Sequence, residues 1–193
     1  MTKDYTPPII LASSSPRRQE LLRLLIPEFL VVPPKVEEWE VQRPEDLLAL
    51  AEAKALAVAQ CHPQALIIAA DTAVFRDGQF FGKPRDLMEA KAFLSALSGG
   101  WHSVFTGLVV WKEAVRHARL VETRVLFRRL LREEIDWYIQ CEDVLDKAGA
   151  YAIQGRAAAF VERIEGDFYN VMGLPLSVLW QILWELGWRP KPG

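Results

Sequence analysis

The chain has 193 residues, a formal net charge of −2 and 51% hydrophobic residues. This composition excludes a disordered chain, and the charge argues against binding nucleic acid through bulk electrostatics. Because the chain has only two cysteines, no signal-peptide pattern and no apolar run of the roughly 20 residues that cross a membrane, we expect a cytoplasmic protein with no disulfide framework, no zinc site, and no nucleic-acid or membrane partner.

In chain order, the first half of the sequence predicts strands that alternate with helices. An apolar run over 9–12 predicts a strand, and a helical pattern over 16–25 follows it. Residues 29–32 predict a second short strand, 44–60 a helix rich in Ala and Leu, and 65–70 a strand buried on both faces.

The second half of the sequence predicts strands that pair with one another. Asp77-Gly78 is typical of a hairpin turn. Further strands are predicted over 104–111, 121–130 and 157–165, and further helices over 86–97, 132–140 and 176–186.

This order of elements predicts the fold class. Strands and helices alternate early and strands pair later, which is typical of an α/β protein with a mixed sheet. We expect one domain over 1–193, with a core over about 9–187 and a frayed tail over 189–193.

The start of the first predicted helix indicates an anion site. Ser15 suits its N-cap and Pro16 its first position. Arg17 and Arg18 then fall in the first turn, where the helix dipole is positive and each cation costs about 0.3–1 kcal/mol. Serine hydroxyls, free backbone N–H groups and two guanidiniums at this end would together bind a phosphate.

Two charged residues occur where apolar ones are expected. Asp71 follows the apolar run 66–70, and the C-terminal end of a buried strand is where open α/β sheets place ligands. A turn-capping role for Asp71 is the alternative. Lys54 lies on the apolar face of its helix, so it requires an anionic partner or extends its ammonium into water.

Several loops contain weaker candidates. Glu37 and Glu38 form an acidic loop whose carboxylates suit Mg²⁺ together with substrate phosphates, or are simply solvated. Lys83 offers a mobile charge between Gly and Pro, and the amide of Gln154 suits a base edge. Asn170 is predicted to cap a helix or form a turn. Because no Walker loop, His-Glu-x-x-His pair or serine elbow occurs, a water nucleophile attacking a phosphate with help from a metal is favoured.

Taken together, these segments resemble the Maf family of nucleoside triphosphate pyrophosphatases, from Ile9 to about Leu186. Each motif is weak alone, but their joint order and spacing are specific. The motifs are Ala12-Ser-Ser-Ser-Pro-Arg-Arg18, Ala53-Lys-Ala55, Ala70-Asp-Thr72, Gly82-Lys-Pro84, Leu97-Ser-Gly99 with His102 and Thr106-Gly107, Asp146-Lys-Ala-Gly-Ala-Tyr151, Gln154-Gly155 and Asn170-Val-Met-Gly-Leu-Pro175.

The resemblance implies an elongated mixed sheet flanked by helices, with a substrate cleft, of the Maf and ITPase type. It implies hydrolysis of a nucleoside triphosphate to the monophosphate and pyrophosphate, with a divalent cation, Mg²⁺ or Mn²⁺, as cofactor. Asp71 matches the position of the proton acceptor. The other implied ligands are Ser13, Arg18, Lys54 and Lys83 for the triphosphate, and Glu38 with Asp71 for the metal, Glu38 aligning better than Glu37.

The resemblance also implies a pyrimidine preference. Arg17, Thr72 and Gln154 match the members that favour dTTP and UTP, with removal of non-standard nucleotides as a wider role. The alternatives are a pyrophosphatase for a modified purine triphosphate, and a nucleotide-binding regulator of cell division that need not hydrolyse its ligand. The tryptophans at 180, 184 and 188 suit packing of the last helix, and a homodimer surface is the alternative.

Overall fold

The computed structural model describes residues 7–189. These residues form seven strands and six helices. The strands are β1 (Ile9–Leu11), β2 (Leu30–Val31), β3 (Leu66–Arg76), β4 (Gln79–Phe81), β5 (Trp101–Lys112), β6 (Val115–Phe127) and β7 (Val161–Glu165). The helices are α1 (Pro16–Arg23), α2 (Pro44–Ala59), α3 (Leu87–Leu97), α4 (Arg132–Cys141), α5 (Phe168–Val171) and α6 (Leu176–Glu185).

The strands form one mixed sheet in the order β2-β1-β3-β5-β6-β7. β1 is parallel to both of its neighbours, and the pairs from β3 to β7 are antiparallel. β4 pairs with β3 on the same edge as β1, but farther along the strand. This arrangement confirms the predicted α/β fold with a mixed, elongated sheet flanked by helices.

Helices cover both faces of the central strands because successive side chains of a strand point to opposite faces. In β3, Leu66, Ile68 and Ala70 pack in one apolar cluster with α1 and α6. Ile67 and Ala69 pack in another cluster, with the alanines of α2. A third cluster, at the far end of the sheet, contains side chains of α3 and α4.

The strand predicted to end before Asp71 is longer than expected. β3 continues to Arg76 because β5 pairs with it residue for residue, from Leu66 opposite Lys112 to Phe75 opposite Ser103. Asp71 therefore lies inside a strand and not at its end, so that prediction was wrong. At Asp71 the local sequence changes from apolar to polar, which predicted the end of the strand. The backbone hydrogen bonds with β5 that extend the strand cannot be read from that local sequence.

Other strands also begin at residues that differ from the predicted ones. β6 begins at Val115 instead of 121, because it pairs with β5 along almost its whole length. β7 begins at Val161 instead of 157, because 156–159 form a short 3₁₀ turn. The prediction missed α5, whose N-cap is Asp167. Ser15 as N-cap, Pro16 as first residue of α1, and the hairpin turn at Asp77-Gly78 are confirmed.

The last helix packs on the sheet through Leu176, Leu179, Ile182 and Leu183, and its tryptophans contact one another. The ring of Trp180 lies 5.8 Å from those of both Trp184 and Trp188. Of the tail predicted to be frayed, only Arg189 lies within the described residues, and its guanidinium stacks over Trp184 at 4.0 Å. The homodimer stays a prediction. Within residues 7–189 no helix combines the length and apolar character needed to cross a membrane.

Gly107 allows α2 to approach the sheet closely. A Cβ added at Gly107 would lie 2.5 Å from the backbone carbonyl group of Leu47 in α2. Gly107 is also the β5 residue directly opposite Asp71. The missing side chain therefore sets the distance between α2 and the part of β3 that contains Asp71.

We predict that Gly107→Ala destabilises the protein by about 1–3 kcal/mol, because the backbone of a packed helix must move to admit the methyl group. Urea unfolding measures the change. Gly82→Ala is the matched control, since nothing lies within 4 Å of its added Cβ. Equal stability of the two variants would contradict the close-packing argument.

His102 is a buried histidine close to the cleft that is described in the next subsection. Its Nε2 lies 2.8 Å from the hydroxyl of Tyr151, and Phe127 packs edge-on against the imidazole. Burial, with a smaller contribution from the charge of Arg76, lowers the pKa of His102 to about 3. The native protein therefore holds this imidazole neutral at pH values where an unfolded chain protonates it.

This shift predicts a loss of stability in acid. Below pH 6.5 the unfolded state binds a proton that native His102 does not bind until about pH 3. Stability therefore falls as pH falls through that window, with a slope that rises to about 1.4 kcal/mol per pH unit. Unfolding free energies measured from pH 6.5 to 5 should show this slope, and His102→Asn should flatten it. His62→Asn, at a less buried histidine, should retain it; a wild-type slope in His102→Asn would contradict the assignment.

Candidate functional site

One cleft, with a volume of about 530 Å³, brings the predicted site residues together. They come from segments far apart in the chain, and such a convergence of polar groups in a concave site is typical of ligand binding. Glu37 is exposed and does not line the cleft. The predicted residues that do line it are Ser13, Arg17, Arg18, Glu38, Lys54, Asp71, Thr72, Lys83 and Gln154.

The cleft opens at a break along one edge of β3. On that edge β1 pairs with residues 66–68 and β4 with residues 74–76. Among the described strands, none pairs with that edge between these two stretches. Asp71 and Thr72 lie in the break, while β5 continues to hold the other edge of β3. No described strand therefore pairs with this edge of β3 at Asp71 and Thr72, whose side chains point to opposite faces of the sheet.

The alternation of the strand sends these two side chains to different helices. Asp71 follows Ala69 on the face that packs against α2, and its carboxylate Oδ1 lies 3.0 Å from Nζ of Lys54. Thr72 is on the face of α1, and its hydroxyl accepts a hydrogen bond of 3.0 Å from Arg18. Asp71 and Thr72 thus connect the sheet to α2 on one face and to α1 on the other.

Lys54 is a buried cation shared by two carboxylates. Its side chain is 9% exposed, and Nζ lies 2.6 Å from Oε1 of Glu38 as well as 3.0 Å from Asp71. Lys54 therefore has anionic partners, and the alternative in which it extends into water is wrong. The hydrogen bond from Lys54 is the main cause that lowers the pKa of Glu38 against the opposing effect of burial. The charge of Lys83 contributes in the same direction.

Glu38 and Asp71 are the pair that suits a divalent cation. Both carboxylates contact the same ammonium, so they lie in the same part of the cleft. No group of three or more His, Cys, Asp or Glu side chains within residues 7–189 has the arrangement of a metal site. Two carboxylates without a third ligand fit a magnesium-like ion that takes its remaining ligands from water and from substrate phosphates.

Arg18 is held by neutral groups alone in the described structure. Its Nε donates to the carbonyl of Gly173 at 2.8 Å, and its other nitrogens reach the hydroxyls of Thr72 and Ser13. Burial is the main cause that lowers the pKa of Arg18 from its ordinary value. None of the described carboxylates forms a salt bridge with it, so its charge is available to an anion.

Thr72 is itself supported by a buried network. Its hydroxyl lies 2.9 Å from that of Thr106, which also donates to the carbonyl of Asn170. The Asn170 amide donates to the carbonyl of Val104 and to Thr123 across the sheet. Asn170 does not cap a helix, because Asp167 caps α5. The predicted turn is present, since the Asn170 carbonyl accepts a hydrogen bond from the backbone of Gly173, and the side chain connects α5 to β5 and β6.

Arg17 faces away from Arg18, toward a loop on the other side of the cleft. Its guanidinium donates to Oδ2 of Asp146 at 2.9 Å and to the Asp146 carbonyl at 3.1 Å. Nζ of Lys147 lies 2.6 Å from the other oxygen, Oδ1. Although burial opposes it, these hydrogen bonds lower the pKa of Asp146.

Asp146 and Lys147 both line the cleft but were not among the predicted site residues. The only signal in the sequence was an adjacent charged pair at the start of the motif that ends at Tyr151. Nothing local indicated that this pair would meet Arg17, which is 129 positions away.

Lys83 and Gln154 supply free polar groups to the cleft. Neither side chain has a hydrogen bond or ion pair with the residues that the structure describes, and both are exposed. The loop of Lys83 is nonetheless ordered by a backbone hydrogen bond of 3.0 Å from Gly149 to Gly82. Both side chains can therefore bind a ligand without breaking an existing contact among these residues.

Comparison with known proteins finds one family for nearly the whole chain. The family model described as "Maf-like protein" matches residues 8–186. A "dTTP/UTP pyrophosphatase" of Symbiobacterium thermophilum is 48% identical over 186 residues, which cover 93% of this chain and 94% of the relative. A protein of the same name from Thermotoga maritima is 46% identical, over 93% of this chain and 90% of the relative.

A structure comparison gives the same picture of the fold. The solved structure of the Staphylococcus aureus Ham1 protein matches with a TM-score of 0.52, covering 92% of this chain and 98% of the other. The two sequences are 13% identical, so the likeness is one of fold alone.

Proposed function

The chain belongs to the Maf family, and on that premise we propose that it hydrolyses dTTP and UTP to the nucleoside monophosphate and pyrophosphate. The names of its relatives at 46–48% identity support the reaction and the substrates. The observation that carries the proposal is the convergence of Arg18, Lys54 and Lys83 on a cleft beside Glu38 and Asp71. Cations that surround a carboxylate pair suit a polyphosphate and its metal ion.

The triphosphate is bound by cations and a hydroxyl that line the cleft. We assign Arg18 and Lys83 to the phosphate oxygens, because neither has a carboxylate partner within 4.0 Å among the described residues. The hydroxyl of Ser13 and the ammonium of Lys54 complete this set. Arg18, Ser13 and Lys54 are held by contacts within the protein before the ligand binds, so they stabilise charge that develops on the phosphates with little reorganisation.

Asp71 is the general base in this proposal. Only its Oδ1 accepts a hydrogen bond from a described residue, Lys54, which leaves Oδ2 free to accept a proton. The water oxygen forms a bond to the α-phosphorus, the bond between the α-phosphorus and the bridging oxygen breaks, and pyrophosphate leaves with that electron pair. The water proton passes to Asp71, which a rigid strand holds at the floor of the cleft.

Glu38 and Asp71 are the proposed metal ligands. An Mg²⁺ or Mn²⁺ ion bound there would neutralise charge on the substrate phosphates. The shared contact with Lys54 supports the pairing of these two carboxylates, and it favours Glu38 over its exposed neighbour Glu37.

Substrate preference is assigned to Arg17, Thr72 and Gln154, which all line the cleft. The free amide of Gln154 can donate and accept at a pyrimidine edge, and Thr72 is held by Arg18 and Thr106. We also propose that the protein acts in the cytoplasm, in line with the two free cysteines, Cys61 and Cys141.

Asp71→Asn is expected to reduce release of pyrophosphate from UTP by at least about 10²-fold, the size of a typical general-base contribution. The amide accepts no proton, but it retains the shape of the side chain. Binding of a non-hydrolysable UTP analogue, measured by calorimetry, should weaken far less than turnover does. Near wild-type turnover in the variant would refute the assignment of the base.

Glu38→Gln and Glu37→Gln form a matched pair that tests the metal ligand. Both remove one charge from the same loop, but only Glu38 lines the cleft. Glu38→Gln should weaken Mn²⁺ binding in the presence of the UTP analogue, measured by electron paramagnetic resonance, whereas Glu37→Gln should leave it unchanged. The reverse ranking would transfer the role to Glu37.

A panel of triphosphates tests the substrate preference directly. UTP, dTTP, CTP, ATP and GTP are assayed for pyrophosphate release with Mg²⁺, Mn²⁺ and Co²⁺. We expect UTP and dTTP to have the highest kcat/KM with the preferred metal, and EDTA to abolish turnover. A higher kcat/KM for a purine triphosphate would contradict the proposed preference.

A further inference from the structure

Three charged side chains form a row across one end of the cleft, which we call the Arg17–Asp146–Lys147 row. Arg17 contacts Oδ2 of Asp146 at 2.9 Å, and Lys147 contacts Oδ1 at 2.6 Å. All three residues line the cleft. The roles proposed above include Arg17 but use neither Asp146 nor Lys147.

The row has a fixed hydrogen-bonding pattern. Arg17 and Lys147 are donors only, and an ionised carboxylate is an acceptor only. The pattern along the row is therefore donor, acceptor, donor. Each carboxylate oxygen has more than one lone pair, and the side chain of Asp146 is 46% exposed. Asp146 can therefore accept a further hydrogen bond from a ligand while both cations stay in place.

The two cations also keep Asp146 ionised, since their hydrogen bonds lower its pKa. Within the same loop, Nζ of Lys147 also donates to the backbone carbonyl of Asp143. Arg17, in turn, belongs to the first turn of α1, next to the residue that holds Thr72. The row thus joins the first turn of α1 to the loop that contains Asp146.

This pattern is complementary to one class of base edge. Uracil and thymine present an acceptor, a donor and an acceptor: O2, N3–H and O4. Cytosine presents O2, an unprotonated N3 and an amino group, so an ionised carboxylate opposite N3 would meet an acceptor. A mismatch of this kind leaves buried polar groups unpaired, which is how sites reject analogues strongly.

Resting on the function proposed above, we propose that Asp146 is a specificity-determining residue: its carboxylate accepts the N3–H of the uracil or thymine ring, and Arg17 and Lys147 donate to the flanking oxygens. The preference for uracil and thymine over cytosine then arises from this row, together with Gln154.

The test compares kcat/KM for UTP and CTP in wild type, Asp146→Asn and Asp143→Asn. An asparagine amide both donates and accepts, so Asp146→Asn should lower the ratio of UTP to CTP by about tenfold or more. Asp143→Asn removes the same charge three positions away, at an exposed side chain that does not line the cleft, and should retain the wild-type ratio. Thermal unfolding of each variant shows that the compared proteins are folded.

A second probe removes the donor from the substrate instead. The wild type should use 3-methyl-UTP, which lacks N3–H, at least about tenfold less well than UTP, and this discrimination should shrink in Asp146→Ala. A variant that loses UTP and CTP turnover by the same factor, or keeps its discrimination against 3-methyl-UTP, would overturn the proposal and leave Asp146 as a structural partner of Arg17. A wild type that releases no pyrophosphate from any triphosphate would instead overturn the proposed function.

Discussion

The shared contact of Lys54 with Glu38 and Asp71 is the interaction on which the site depends. Two carboxylates in one partly buried cleft repel each other unless a cation lies between them. Lys54 supplies that charge from α2, and it does so because the backbone of α2 approaches the sheet at Gly107. A small residue on one strand thus determines the electrostatics of the neighbouring strand, and the same carboxylate pair suits a divalent cation in the presence of phosphates.

Two adjacent arginines in the first turn of α1 have different partners. Arg18 is held by neutral oxygens and keeps its charge for an anion, whereas Arg17 is paired with a carboxylate from a distant loop. The sequence alone indicated only that two cations occupy the unfavourable end of a helix. The division that we propose between phosphate binding and base selection follows from the partners of each guanidinium.

Much of the candidate site was predictable because local patterns required an explanation. Lys54 on an apolar helix face and Asp71 after an apolar run each indicated a partner that the sequence did not identify. The resemblance to a family supplied the connection among them. What failed were predictions that depend on neighbours: β3 continues past Asp71 because β5 pairs with it, and Asn170 connects three elements instead of capping one.

By itself, the sequence determined the fold class, most of the helix positions and the residue types available for chemistry, because apolar periodicity and capping residues are local properties of the chain. Only the tertiary structure decided that Arg17 meets Asp146 and Lys147, that Glu38 and not Glu37 reaches Lys54, and that the cleft opens at a break in strand pairing. These outcomes depend on register and on the close approach of a helix to a sheet. Such distances are set by contacts between segments far apart in the chain.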